Sequence, residues 1–95
     1  TNQTNSEDEL LVEAANFFKN QKVYEGRQVL LQYLSLYPTR IEDLYRWMYN
    51  NLDLWGTSNE KRDASIVTIR NGLRDLSFVG IPEINLAATI IELTG

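Results

Sequence analysis

The sequence predicts an all-α protein, a compact bundle of about five helices. Two observations carry this prediction. Apolar side chains recur every three or four residues in five successive segments. Helix start and stop signals, among them Pro38, Gly80 and Pro82, separate these segments. Alternating apolar and polar residues never extend far enough to indicate a strand. The 95 residues are enough for one domain, 1–95, whose polar start, 1–5, is predicted to be frayed.

The first two segments read as a pair of helices. Ser6 and Glu9 have the spacing of a capping box, which predicts the start of the first helix. Its apolar face consists of Leu10, Leu11, Ala14, Phe17 and Phe18. The second helix is predicted from Val23 to about Tyr37, because Pro38 cannot continue it. Its apolar arc spans roughly 220°, which is too wide for a helix lying on a surface.

Two further helices follow, and each begins with a capping pattern. Thr39 and Glu42 predict the start of the third helix, whose apolar face contains Ile41, Leu44, Tyr45, Met48 and Leu52. Thr57 and Glu60 predict the start of the fourth. The fourth helix has the cleanest apolar stripe, formed by Ile66, Ile69, Leu73 and Leu76. Gly72 lies beside this stripe, which predicts a close contact with another helix.

The fifth helix, predicted from Pro82 to about Leu93, is apolar almost all round. One stripe contains Ile84, Ala87, Ala88 and Ile91, and we expect it to face the core of the domain. The other contains Leu86, Ile90 and Leu93, and we expect it to lie on or near a surface used by a neighbouring subunit. With Trp47 and Tyr49, at the margins of the third helix, these three residues form the predicted subunit interface.

Catalytic chemistry has no support in the sequence. There is no His, the commonest general base and metal ligand, and no Cys. The acidic residues gather in first turns, where the helix dipole stabilises them. No phosphate loop, catalytic triad or metal motif occurs. We therefore expect no enzymatic activity in this chain, no cofactor, and no catalytic, cofactor-binding or metal-binding residues.

Charge and hydropathy argue against two further classes of protein, duplex-binding domains and membrane-spanning proteins. The net charge is −4, whereas duplex-binding domains carry a basic face. Arg70 and Arg74 share a face with Asp63 and read as a solvated surface. No apolar run is long enough to predict a membrane span, and the absence of cysteine fits a cytoplasmic protein.

The last helix carries a family resemblance. Pro82-Glu83-Ile84, Leu86-Ala87-Ala88 and Glu92-Leu93 resemble the final helix of sliding-clamp loader small subunits. This family includes the replication factor C small subunits and the ATPase subunit of T-even-type phage clamp loaders. Upstream, Lys22–Leu31 and Ile41–Tyr49 are similar to earlier helices of the collar domain in those proteins. The resemblance extends from about Glu9 to the end of the chain.

The resemblance implies a collar domain, the C-terminal part of a longer AAA+ ATPase, that holds subunits together during clamp loading in DNA replication. The phosphate loop and arginine finger of the family are absent here, and Leu54-Trp55-Gly56 has no counterpart. The implied partners are other clamp-loader subunits, in a homo- or hetero-oligomeric collar. The sliding clamp and primer-template DNA would be reached only through the ATPase modules. The implied location is the cytoplasm, that of the host cell if the protein is phage-encoded.

Two other functions are compatible with the sequence. A helical adaptor that binds a different protein partner would need the same apolar surfaces. A small helical nucleic-acid-binding domain would need a local basic patch, and its binding would weaken steeply with salt.

Overall fold

The computed structural model describes residues 6–78 and 80–95, with side chains from Asp8 onward, and these residues fold into five α-helices. The helices are α1 (Ser6–Lys19), α2 (Val23–Leu36), α3 (Ile41–Asn50), α4 (Asn59–Asp75) and α5 (Pro82–Thr94). Short 3₁₀ turns, Pro38–Arg40 and Leu52–Leu54, flank α3, and the described residues contain no strand. The predicted all-α bundle is confirmed. The predicted fraying of residues 1–5 lies outside the described residues.

The hairpin of α1 and α2 depends on a tight turn and a close helix crossing. Gln21 adopts a left-handed conformation, with φ 65°. The amide of Lys22 donates to the carbonyl oxygen of Phe17 (2.8 Å), and that of Gln21 to Phe18 (3.1 Å), which is the Schellman pattern at a helix C-terminus. On α2, a Cβ at Gly26 would come within 2.8 Å of the Phe18 ring, so only glycine allows this approach.

Trp55, in the connection between α3 and α4, is part of the core. Its indole nitrogen donates to the carbonyl oxygen of Met48 at 3.0 Å. Its ring packs edge-on against Phe18 of α1, with centroids 4.9 Å apart. The connection therefore ties α3 to the hairpin, which explains why Leu54-Trp55-Gly56 is more than a solvent-exposed loop. The core as a whole draws on every helix and consists of Ala14, Phe18, Val29, Leu30, Tyr33, Leu34, Leu44, Tyr45, Met48, Trp55, Ile69, Leu86, Ile90 and Leu93.

The helix starts are capped differently from the prediction at two places. The capping box at Thr39 does not form, because residues 38–40 make a 3₁₀ turn and Arg40 precedes α3 without a side-chain cap. In α4 the cap is one residue later than predicted, since the Ser58 hydroxyl accepts from the amide of Lys61 at 3.1 Å. The capping box at Ser6 involves side chains outside the described residues.

The buried side of α4 is rotated from the predicted stripe. Ser65, Ile69 and Gly72 are buried, whereas Ile66 and Leu73 are exposed. The rotation follows from Gly72, which lets α4 approach both α3 and α5. A Cβ there would lie 2.6 Å from Cε2 of Tyr45 and 2.5 Å from Oγ1 of Thr89. The predicted close helix contact at Gly72 is therefore confirmed, and it leaves part of the α4 stripe on the surface.

Candidate functional site

An uninterrupted apolar stripe on α5 faces solvent. Ile84 and Ile91 are 61% and 52% exposed, and Ala88 lies between them at the same exposed side. The spacing 84, 88, 91 places these residues on one line along the helix. Ile81, at the start of α5, is also exposed. We call the surface formed by Ile81, Ile84, Ala88 and Ile91 the α5 face.

The opposite side of α5 is buried, which reverses the prediction for this helix. Leu86, Ile90 and Leu93 are each at most 2% exposed. Their predicted place at a subunit surface is therefore wrong, because they fill the domain's own core. The stripe predicted to face the core carries the exposed residues instead. Leu86, Ile90 and Leu93 are consequently removed from the candidate interface.

A buried hydrogen-bond network fixes the rotation of α5. The side-chain nitrogen Nδ2 of Asn85 donates to the Tyr45 hydroxyl (2.6 Å) and to the backbone carbonyl oxygen of Gly72 (2.8 Å). The Thr89 hydroxyl donates to the backbone carbonyl oxygen of Asn85 (2.9 Å). The proton of Thr89 is thus already used, so Tyr45 donates to Thr89 Oγ1 across the remaining 3.1 Å contact. This hydrogen-bond network links α3, α4 and α5.

The network is complete and neutral. No buried side-chain nitrogen or oxygen among the described residues is without a hydrogen-bond partner. Burial raises the pKa of Tyr45 above its ordinary value of 10.0, and the Asp75 carboxylate raises this pKa further, whereas the hydrogen bonds that Tyr45 makes with Thr89 and Asn85 lower it. The phenol is therefore protonated at neutral pH and serves as a donor. Since Asn85 and Thr89 must face Tyr45, the line of Ile84, Ala88 and Ile91 is turned outward.

A second apolar surface lies between α3 and α4. Exposed Tyr49 forms one wall, exposed Ile66 and Leu73 form the other, and Tyr45 and Ile69 lie between. The groove is also lined by charged residues, Glu42 and Arg46 from α3 and Arg70 from α4. We call this surface the α3–α4 groove. Within the described residues neither Arg46 nor Arg70 forms an ion pair, whereas Arg62 and Arg74 bond to Asp53 and Asp75.

The aromatic residues of the predicted interface have different positions. Tyr49 is 51% exposed and lines the α3–α4 groove. Trp47 is half-buried and packs edge-on against Trp55, with ring centroids 6.5 Å apart. Trp47 thus mainly closes an edge of the core. Of the five residues predicted from the sequence, Tyr49 is the one whose side chain is largely available to a partner.

The local sequence pattern of α5 indicates the opposite orientation from the one observed. Ile84, Ala88 and Ile91 form a line without any polar residue, which favours a core position. Asn85 and Thr89 lie beside Leu86 and Leu93, which favours solvent for that side. The hydroxyl of Tyr45 and the close approach at Gly72 reverse this preference, because they supply buried partners for both polar side chains.

Comparison with protein-family models, curated proteins and solved structures finds no match for this chain. Among the described residues, no three His, Cys, Asp or Glu side chains are grouped so that they could hold a metal ion. In the same part of the chain, no helix has the length and apolar character needed to cross a membrane. The α5 face and the α3–α4 groove are the apolar surfaces of the described residues that a partner would cover.

Proposed function

We propose that this chain is an assembly domain, the collar domain of a sliding-clamp loader subunit, and that the α5 face is its main contact with neighbouring subunits. The observation that carries the proposal is the exposure of Ile84 and Ile91 on one side of a helix whose other side is fully buried. Exposed apolar patches of this kind on a folded domain mark interaction sites.

The energetics favour a covered α5 face. Full burial of an isoleucine side chain is worth about 1.5–3 kcal/mol, so covering side chains that are half exposed contributes about 1 kcal/mol each. Ile81, Ile84 and Ile91 together could supply a substantial part of a subunit contact. The side chains are carried by a helix that is fixed by core packing and by the hydrogen bonds of Asn85 and Thr89 to Tyr45 and Gly72. Such a preorganised surface loses little conformational entropy on binding.

The resemblance to clamp-loader collars is the reason for proposing a collar rather than an assembly domain of another kind. The motif residues Pro82-Glu83-Ile84 and Leu86-Ala87-Ala88 lie on α5. Ile84 and Ala88 of this motif are exposed, whereas Leu86 is in the core. A collar has to combine a stable helical core with an apolar contact surface, and α5 contributes to both. A helical adaptor for an unrelated protein would use the same face, so the identity of the partner separates these two functions.

Nucleic-acid binding has less support from the geometry. The described arginines are spread over α2, the Pro38–Arg40 turn, α3 and α4 and are not gathered on one helix. Arg62 and Arg74 already bond to carboxylates. With a net charge of −4, the chain also lacks the overall basic character that phosphate binding favours.

The proposal predicts that the chain associates through α5. Sedimentation velocity should show a mass that rises with concentration between about 10 µM and 1 mM, the range that reports contacts of about −4 to −7 kcal/mol. Changing Ile84→Ser and Ile91→Ser together should leave a folded monomer, since both side chains are exposed. Val67→Ser is the matched control, because Val67 is an equally exposed residue of α4 outside the α5 face.

The control variant should associate as the unmodified chain does. Equal association of the Ile84→Ser, Ile91→Ser variant and the unmodified chain, or a chain that stays monomeric throughout the range, would contradict the proposed function of the α5 face.

A further inference from the structure

We propose that the α5 face of one copy docks in the α3–α4 groove of a second copy. This inference rests on the proposed assembly function and adds the receptor for the α5 face. It is motivated by two apolar surfaces that lie on different helices of the same chain and differ in charge. One is a helix ridge and the other a groove between two helices.

The shapes of the two surfaces correspond to a helix-in-groove contact. In such contacts an amphipathic helix inserts anchors at positions i, i+4 and i+7 between two helices of its receptor. Ile84, Ala88 and Ile91 have this spacing on α5. The small side chain of Ala88 at the centre allows a close approach of the helix backbone.

The α3–α4 groove offers apolar walls to such anchors. Tyr49 stands on the α3 side, Ile66 and Leu73 on the α4 side, and all three are exposed. None of the three contributes to the buried core, so packing within the chain does not cover them. Covering them with an isoleucine ridge would remove both apolar surfaces from water at once.

The charges of the two surfaces are complementary. At about 100° per residue, Glu83 and Glu92 fall on opposite sides of the α5 face. Both are exposed, so the ridge is flanked by two negative charges. Each wall of the groove carries one arginine, Arg46 or Arg70, and one wall also carries Glu42. The groove lining thus has a net charge of +1, from two arginines and one glutamate.

The alternative occupant of the α5 face is the α5 face of another copy, in a two-fold symmetric contact. That arrangement would place the flanking Glu83 and Glu92 of both copies at the same contact, where like charges oppose association. It would also leave the α3–α4 groove uncovered. Docking in the groove avoids both costs. It is a contact between two different surfaces, so each copy can use both surfaces at the same time.

Charge reversal tests the docking. The groove variant changes Arg46→Glu and Arg70→Glu, and the face variant changes Glu83→Lys and Glu92→Lys. All four side chains are exposed, so both variants should fold as the unmodified chain does. Each variant alone should associate about tenfold more weakly or worse, because like charges then meet at the contact. An equimolar mixture should recover association, since the reversed charges are again opposite.

Sedimentation of the two variants, alone and mixed, with one carrying a fluorescent label, provides the measurement. Recovery of a mixed species supports the docking. The docking is overturned if the groove variant associates as well as the unmodified chain, or if the mixture stays monomeric.

The charge-reversal variants, compared with the Ile84→Ser, Ile91→Ser variant, separate the two proposals. Loss of association in the Ile84→Ser, Ile91→Ser variant together with unchanged association of the groove variant would leave the α5 face as an assembly surface and exclude the groove as its receptor. A chain that never associates would contradict both.

Discussion

Replacing Ile90 with alanine is expected to lower the free energy of unfolding by about 2–5 kcal/mol, the usual cost of removing a buried isoleucine side chain. Ile90 is 1% exposed and lies in the core with Leu86 and Leu93. The same change at Ile91, the next residue, should alter the free energy of unfolding by less than about 1 kcal/mol. Ile91 is exposed, and alanine has a slightly higher helix propensity than isoleucine.

The pair Ile90→Ala and Ile91→Ala is its own control, because residue type, helix and neighbourhood in sequence are the same. Urea unfolding followed by circular dichroism at low protein concentration measures both variants as monomers. Equal destabilisation by the two changes would mean that α5 is buried on both sides. A larger effect of Ile91→Ala would mean that the helix is turned the other way.

Replacing Gly72 with alanine is expected to destabilise the domain by about 2–4 kcal/mol. The added methyl group would overlap Oγ1 of Thr89 and Cε2 of Tyr45, at 2.5 and 2.6 Å. Overpacking of this kind costs about 1–3 kcal/mol, and displacing Thr89 or Tyr45 also weakens buried hydrogen bonds, at about 1–3 kcal/mol each. The higher helix propensity of alanine offsets only about 1 kcal/mol of this loss.

Gly80→Ala is the matched control for Gly72→Ala. A Cβ at Gly80 would meet no atom within 4 Å, so the change should be neutral or stabilise the chain by up to about 1 kcal/mol through the unfolded state. Thermal unfolding of the two variants measures the difference. If Gly72→Ala were as well tolerated as Gly80→Ala, the packing of α3, α4 and α5 around the polar network would be incorrect.

Most of the fold could be predicted because local signals mark the helices. Pro38 follows the end of α2 and Pro82 begins α5, as the ring geometry of proline requires. The prediction of a close contact at Gly72 was also correct. The cap of α3 was not predictable from its residue pattern alone, since Thr39 became part of a 3₁₀ turn after Pro38.

The rotation of α5 could not be predicted from periodicity. In a helix that is apolar on two sides, the apolar pattern alone does not decide the orientation, which depends on where its polar residues find partners. Here Asn85 and Thr89 bond to Tyr45, which lies 40 and 44 residues away in the sequence. Buried polar groups need such partners, but their location is a property of the tertiary structure. The prediction of Tyr45 as a core residue was correct, but the sequence pattern does not indicate which distant polar side chains its hydroxyl bonds.

The candidate site was predicted only in its general character. An apolar contact surface on the last helix was expected, and it is present on the side opposite to the prediction. Tyr49 was expected at an interface and lines the α3–α4 groove. The groove itself was not predicted. Ile66 and Leu73 are exposed because α4 approaches α3 and α5 closely at Gly72. The spacing of apolar residues along α4 does not indicate this approach.

Methyl NMR of isoleucine-labelled chain, recorded at rising protein concentration, can test whether the α5 face is an assembly surface. The Ile84 and Ile91 methyl signals should shift as the chain associates, and Ile66 in the α3–α4 groove should shift with them. Ile90 is buried in the core, away from both surfaces, and serves as an internal reference that should stay unchanged. If association proceeded while the Ile84 and Ile91 signals remained constant, the contact would lie elsewhere on the domain and the proposed role of the α5 face would be wrong.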